Sequence, residues 1–415
     1  MRPTQTLLPG QGFDPSELLA PSQAILAYTA RVPLAPLGVE TVGLDAAFGR
    51  VLARDAIADA PYPAHPRSAM DGFAVRAEDG VGPRAIVGEV RMGHAPPGAV
   101  GSGQAMRIPT GGAVPEGADS VVPVEDADER DGSVVPGEAP QRGYAITPTG
   151  EDMRRGDLIL RAGIRLDARA LGVLATLGIT AIPVWRRPRV AIISTGDELI
   201  DPDKVPGPGQ IRDSNRYGIA AALRGVGAEP VHHPRALDDP AKLEAAIERA
   251  RAESDAIVLS GGSSVGVRDL VPRAIDRLGK PGVVVHGLRV RPGKPTVLAA
   301  LDEKPVIGLP GNPMSALMIF RTIAEPIFRR LTGEAEPRGV PAFARAATAL
   351  VGRPGWTWFV PVNVEIDGVE RKIKQLPIRS SHTSLLARAD GFVIIPEDRP
   401  RIEAGEAIEV HPFLQ

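Results

Sequence analysis

Apolar positions along this chain follow two periodicities, and the switches between them outline its parts. After Ser22, Ala24, Ile25, Ala27, Tyr28 and Val32 keep one apolar side at helical spacing and predict a first helix. Leu44, Phe48, Val51 and Leu52 share a face and predict a second, with Asp45 as its cap. From about Asp55 to Gly143 the texture changes to short β-like runs, such as AIVGEVRMG and SVVPVED, between Gly/Pro turns. Helical spacing returns at Asp167 through Leu171, Val173, Leu174 and Leu177 and stops at Gly178.

After Pro183 strand, loop and helix patterns repeat. RVAIIST, DAIVLS, VVVHGLRV and KPVIGLP read as buried strands; PAKLEAAIERAR and the long NPMSALMIFRTIAEPIFRRL read as helices. Such alternation predicts a mostly parallel sheet covered on both faces, a three-layer α/β/α domain. Beyond about Glu334 only short strands remain (FVPVNVEI, GFVIIPED, EAIEVHPF). The fold class expected is therefore multidomain, α/β plus β.

Composition narrows the chemistry more than the fold. Two to four domains suit 415 residues. A net charge of −2 argues against a nucleic-acid or anionic-membrane footprint. No run approaches the ~18 apolar residues of a membrane span, and MRPTQTLLPG lacks the pattern of a secretion signal, so the cytoplasm is the expected location. With no Cys in the chain, thiolate metal sites and Cys nucleophiles are excluded. Carboxylates, hydroxyls, a few Lys and Arg, and backbone N–H groups must do the work.

These groups cluster where strands end, the usual ligand edge of a doubly wound sheet. DAIVLS runs into Ser260-Gly261-Gly262-Ser263-Ser264-Val265-Gly266, whose glycines let the backbone approach a ligand and aim N–H groups at an anion. Asp269 follows three residues later. VIGLP leads to Pro310-Gly311-Asn312-Pro313-Met314-Ser315, where Asn312 is a natural N-cap and the helix start attracts anions. RVRPGKPTV holds Lys294 between prolines in a chain with only seven Lys among 48 basic residues. RVAIIST ends in Thr195-Gly196-Asp197-Glu198, with Asp213 and Asn215 further on and Asp238-Asp239 in a third loop. Each stretch alone is an ordinary turn or solvated acid. Carboxylates converging with anion-binding loops require a divalent cation such as Mg²⁺ between them.

Eight motifs in one order identify a resemblance. SAMDGFAVR, RIPTGGAVPEGADSVVPVED, GEDMRRGD, VAIISTGDEL, GQIRDSN, SGGSSVGVRD, PGKP and LPGNPMSA resemble the MoeA family, molybdopterin molybdenumtransferases related to the gephyrin E domain, closely over about residues 15–335. The resemblance implies an elongated subunit with four parts. These are a helical segment from about 1–50 and 145–183, an inserted β domain at 51–144, a molybdopterin-binding α/β domain at 184–333 and a C-terminal β domain at 334–415. It implies a homodimer with the active site between subunits, and possible dealings with the molybdopterin adenylyltransferase. The implied reaction inserts molybdate into adenylylated molybdopterin with Mg²⁺ or a similar ion, releasing AMP. By motif, Glu198, Asp238 and Asp269 are the implied metal and phosphate acids. Asp71, Thr110 and Asp152 are implied contributions from the partner subunit. Lys294, Pro310, Gly311, Asn312 and Ser315 form the implied oxyanion pocket, and Ser260, Gly261, Gly262, Ser264 and Gly266 the implied substrate cradle.

Departures from the family pattern lie late in the chain. No Arg follows Phe359, and Arg291 stands before PGKP where Lys is common in the family. Arg379-Ser380-Ser381-His382-Thr383-Ser384 resembles a branch often fused to a regulatory domain like periplasmic binding proteins; Arg379 or Ser381 is a possible completion of the oxyanion pocket. The alternatives are an adenylyltransferase built on the related α/β domain, a tungstate-inserting enzyme, and a non-catalytic scaffold that kept the fold.

Overall fold

The computed structural model describes residues 17–261, 270–335, 341–377 and 382–413. It divides into two compact units. One is built from Arg54–Ala162 and Ala168–Ala181; the other holds the remaining described residues.

The smaller unit centres on a six-stranded sheet of β1 (Gly72–Val75), β2 (Arg84–Glu89), β3 (Gln104–Ile108), β4 (Ser120–Pro123), β5 (Ala127–Arg130) and β6 (Ser133–Pro136), in the spatial order β4-β1-β3-β2-β6-β5. Alternation sorts its core: Ala74, Met106 and Val121 face one cluster, Phe73, Val75 and Val122 the other. β1 sits between two neighbours so closely that a Cβ at Gly72 would lie 2.0 Å from the carbonyl oxygen of Val122. Gly72→Ala is expected to destabilise this unit by roughly 1–3 kcal/mol through overpacking, read as earlier urea-dependent proteolysis around the sheet. A variant as resistant as wild type would show that β1 and β4 separate freely.

The larger unit contains a second sheet: β7 (Arg189–Ser194), β8 (Glu229–His232), β9 (Ala256–Ser260), β10 (Pro281–His286), β11 (Val297–Leu301) and β12 (Lys304–Leu309). Its order is β8-β7-β9-β12-β11-β10; the first four strands run parallel, and β11 runs against both its neighbours. Both faces are buried, which is why β7, β9 and β12 read as unbroken apolar runs. Helices Asn215–Gly225 and Pro313–Ile319 cover one face with Ile219, Leu223, Met314 and Ile319. Pro240–Glu253 and Leu270–Leu278 cover the other with Leu243, Ile247, Val271 and Ile275. The N-terminal helix Pro21–Thr29 also buries Ala24 and Tyr28 in the first of these cores, and Tyr28 Oη donates to the Ala299 carbonyl at 3.0 Å. Burial pushes the Tyr28 hydroxyl pKa well above its ordinary value.

Several local expectations need correction. The second predicted helix is one turn, Leu44–Ala47, starting after Gly43, so Asp45 lies inside its first turn and does not cap it. Val51 and Leu52 instead make isolated bridges to Arg165 and Val184. VVVHGLRV is not one strand. It breaks after His286, and Val290–Arg291 pairs with Thr357–Trp358 of a third, six-stranded sheet formed by the C-terminal region. The long helix after Asn312 is interrupted by a π turn, Phe320–Ala324, in which the Glu325 N–H reaches the Phe320 carbonyl. Pro326 explains the wider turn: it has no N–H to donate back into the preceding turn and its ring crowds it.

Candidate functional site

In chain order the parallel strands run β7, then outward to β8, then back across to β9. The order therefore reverses between β7 and β9, the place where such sheets open a crevice beyond their carboxyl ends. Thr195-Gly196 leaves β7 there and Ser260-Gly261 leaves β9. Gly261 (φ +96°) is needed because a Cβ would lie 2.5 Å from the Thr195 carbonyl oxygen. At Gly196 (φ +140°) a Cβ would lie 2.5 Å from Glu198 Oε2, so the Glu198 carboxylate folds over a bare glycine.

The neighbouring loops join this edge. The Asp238 N–H donates to Asp197 Oδ1 at 3.1 Å, tying the loop after β8 to the loop after β7. Asp239 spends its side chain as the cap of helix Pro240–Glu253, accepting from the Lys242 N–H at 2.9 Å. Beyond β12, a Cβ on Gly311 would lie 3.7 Å from the Gly261 Cα, so these two turns touch. Lys294, half-buried, sits in the loop from β10 to β11, which lies at the same edge because β11 runs antiparallel to β12. Its carbonyl accepts from Leu288 and Thr296, and a Cβ at Gly293 would strike Ile319, so the loop is pressed onto the helix that follows Asn312.

The structure thus brings Glu198, Asp238, Ser260, Gly261, Lys294, Pro310, Gly311, Asn312 and Ser315 to one edge of one sheet. Gly262, Ser264, Gly266 and Asp269, with Arg379 and Ser381, lie outside the described residues. Asn312 holds the capping position with extended backbone (φ −75°, ψ 125°), yet its side chain makes no cap bond. Its Oδ1 is buried without a partner among the described residues, as are Ser194 Oγ, Thr195 Oγ1 and Asp213 Oδ2. Buried polar atoms are rarely left unpaired, and four at one edge mark a place built for further polar partners.

Among the described residues no group of three His, Asp or Glu side chains converges on one point. By donor type, the carboxylates of Glu198 and Asp238 suit a hard divalent cation; Glu198 is exposed, makes no ion pair among the described residues, and lies folded over Gly196.

In the smaller unit the structure joins two predicted residues. Asp71 precedes β1 and Thr110 follows β3, strands that pair antiparallel through Gly72 and Ile108. Asp71 Oδ1 accepts from the Thr110 N–H at 2.7 Å and from Thr110 Oγ1 at 3.1 Å. Asp152 is placed separately, in an exposed turn where its N–H donates to the Tyr62 carbonyl at 3.2 Å.

Sequence reasoning placed Asn215 beside the acids near the ligand edge without giving it a role, and gave His232 none. His232, at the end of β8, accepts from Arg216 Nε at 3.0 Å; desolvation and then the charge of Arg216 hold its pKa below the ordinary imidazole value, which suits an acceptor. A polar residue closing a short edge strand at the ligand edge was the available signal.

Three family models match the chain: the MoeA N-terminal region (domain I and II) over residues 19–178, a probable molybdopterin binding domain over 191–330, and the MoeA C-terminal region (domain IV) over 344–413. The molybdopterin molybdenumtransferase of Haemophilus influenzae is 31% identical over 392 residues, covering 91% of this chain and 95% of that protein. Its Nostoc counterpart is 37% identical over 307 residues, covering 72% and 70%. The crystal structure of a molybdopterin biosynthesis MoeA protein from Pyrococcus horikosii matches with a TM-score of 0.80 at 32% identity, covering 96% of this chain and 100% of that one. No helix among the described residues is long and apolar enough to cross a membrane.

Proposed function

This chain belongs to the MoeA family of molybdopterin molybdenumtransferases, and on that premise we propose that it loads molybdenum onto molybdopterin in making the molybdenum cofactor. The substrate is adenylylated molybdopterin together with molybdate, and AMP leaves. The observation that carries this reading is the shared edge at the β7/β9 reversal, where anion-seeking turns (Ser260-Gly261, Pro310-Gly311-Asn312), Lys294 and the acids Glu198 and Asp238 meet.

The roles follow from chemistry. Lys294, the glycine-rich turns and the helix start after Asn312 hold a tetrahedral dianion. Glu198, Asp238 and Asp269 would hold Mg²⁺, which when bound neutralises phosphate charge and polarises the adenylyl link. The protein's own part is to keep that link and an oxygen nucleophile in line, in a crevice of fixed dipoles. Asp71, Thr110 and Asp152 complete the site from a second copy of the chain, and the adenylyltransferase supplies the substrate. The four-part division given above is proposed with it.

Purified protein given adenylylated molybdopterin, Mg²⁺ and molybdate should release AMP in proportion to molybdenum loaded. AMP release that ignores molybdate would overturn insertion, and tungstate in its place tests the choice of metal. Subunit sharing has its own test. Asp71→Ala and Glu198→Gln homodimers are each expected to be nearly inactive; unfolded and refolded together at equal amounts they should regain about a quarter of wild-type activity, because half the dimers are mixed and each has one intact site. No recovery would place all the groups of a site in one chain.

A further inference from the structure

One amide holds the two anion-seeking turns together. Asn215 Nδ2 donates to Ser260 Oγ at 2.7 Å and to the Gly311 carbonyl at 2.9 Å. Its partners are 45 and 96 residues away in sequence; Ser260 ends β9 and Gly311 lies in the turn after β12. Asn215 opens helix Asn215–Gly225, whose main chain is held by burial of Ile219, Ala220 and Leu223. The amide cannot be reversed, because the Gly311 carbonyl only accepts; the nitrogen must face it. Both Nδ2 protons are then used. Ser260, 3% exposed, accepts one of them, so its own hydroxyl proton is left for another acceptor.

We infer that Asn215 is a positioning residue for the oxyanion: it fixes the spacing of the two turns and makes Ser260 a hydrogen-bond donor to the bound molybdate. It touches no reacting atom. The inference rests on the function proposed above, which assigns molybdate to this edge. It predicts an effect on oxyanion affinity with little on turnover, whereas a tie that merely fastens helix to sheet affects stability alone.

The test is a double-mutant cycle of Asn215→Ala and Ser260→Ala, read by molybdate KM and kcat in AMP release, molybdate binding by calorimetry, and melting temperature. Each single variant is expected to raise the molybdate KM and Kd about tenfold with kcat within about threefold. The double variant should match the singles at about tenfold and not reach a hundredfold, because one residue acts through the other. Asn215→Asp, of the same size, should raise KM by about thirtyfold or more. Its carboxylate faces the Gly311 carbonyl, accepts the hydrogen bond of the Ser260 hydroxyl and repels the dianion. Wild-type KM and Kd in Asn215→Ala, with only a lowered melting temperature, overturn the inference, as does a multiplicative double variant. A wild-type protein whose AMP release and calorimetry are both blind to molybdate overturns the proposed function itself.

Discussion

Glu198→Gln is expected to slow AMP release by about 100- to 1,000-fold while leaving the fold intact. The substitution keeps the side chain's size and removes one negative charge from a set of acids facing a phosphate link. Removing one preorganised electrostatic group of this kind typically costs that much in rate. Stability should hardly change: Glu198 is exposed and makes no ion pair among the described residues, and surface changes of this sort stay within about 0.5 kcal/mol. The Mg²⁺ concentration for half-maximal rate should rise about tenfold. An equal loss in Glu198→Gln and in Asp203→Asn, an acid on the same strand's downstream loop, would reduce the effect to general surface charge. Full activity in Glu198→Gln would remove this residue from the site.

What could be read in advance follows from how far each interaction reaches along the chain. Val190–Ile193 and Ile257–Leu259 announce buried strands because both faces of the sheet are covered, so every position is apolar. Gly196 and Gly261 announce turns because φ and close approach are properties of one residue. Partners distant in sequence leave no such mark. Val290 closes the run VVVHGLRV, and only Thr357–Trp358, far downstream, draws Val290–Arg291 into another sheet. The Glu229–His232 edge strand is short and polar, and Val297–Leu301 is an apolar run set off from the next strand by Asp302-Glu303 that the sequence reading left out. In the sequence Asn215 stands among the polar residues after Glu198 with no role of its own; its meaning lies in Ser260 and Gly311. The acids at the ligand edge were legible as loop residues. Their common edge was legible only through the parallel order of the strands that carry them.

Glu334→Ala is expected to cost about 3–5 kcal/mol, the largest loss of stability from a single charge in the larger unit. Its side chain is only 2% exposed and accepts from Arg165 Nη2 at 2.7 Å and from Arg329. Arg329 also pairs with Glu325, which pairs with Arg321, so Arg321, Glu325, Arg329, Glu334 and, from the Gly163–Asp167 stretch, Arg165 form a continuous chain in which both acids are buried and the three arginines half-buried. Although burial disfavours its charge, the acids around Arg329 raise its pKa above the ordinary value. Truncation leaves two guanidinium groups facing each other with nothing between them, out of reach of most water. Arg165 would then hang on the carbonyls of Gly49 and Val226, each 2.9 Å away, and the crossing of the chain at Gly163–Asp167 would loosen. The exposed pair Lys374–Glu365 is the control: Glu365→Ala should cost less than about 1 kcal/mol and lose even that at high salt. Urea unfolding of both variants at low and high salt decides the matter. If Glu334→Ala shifts the midpoint no more than Glu365→Ala does, water or a rearranged Arg329 compensates the lost charge, and the buried chain does not hold this part of the molecule.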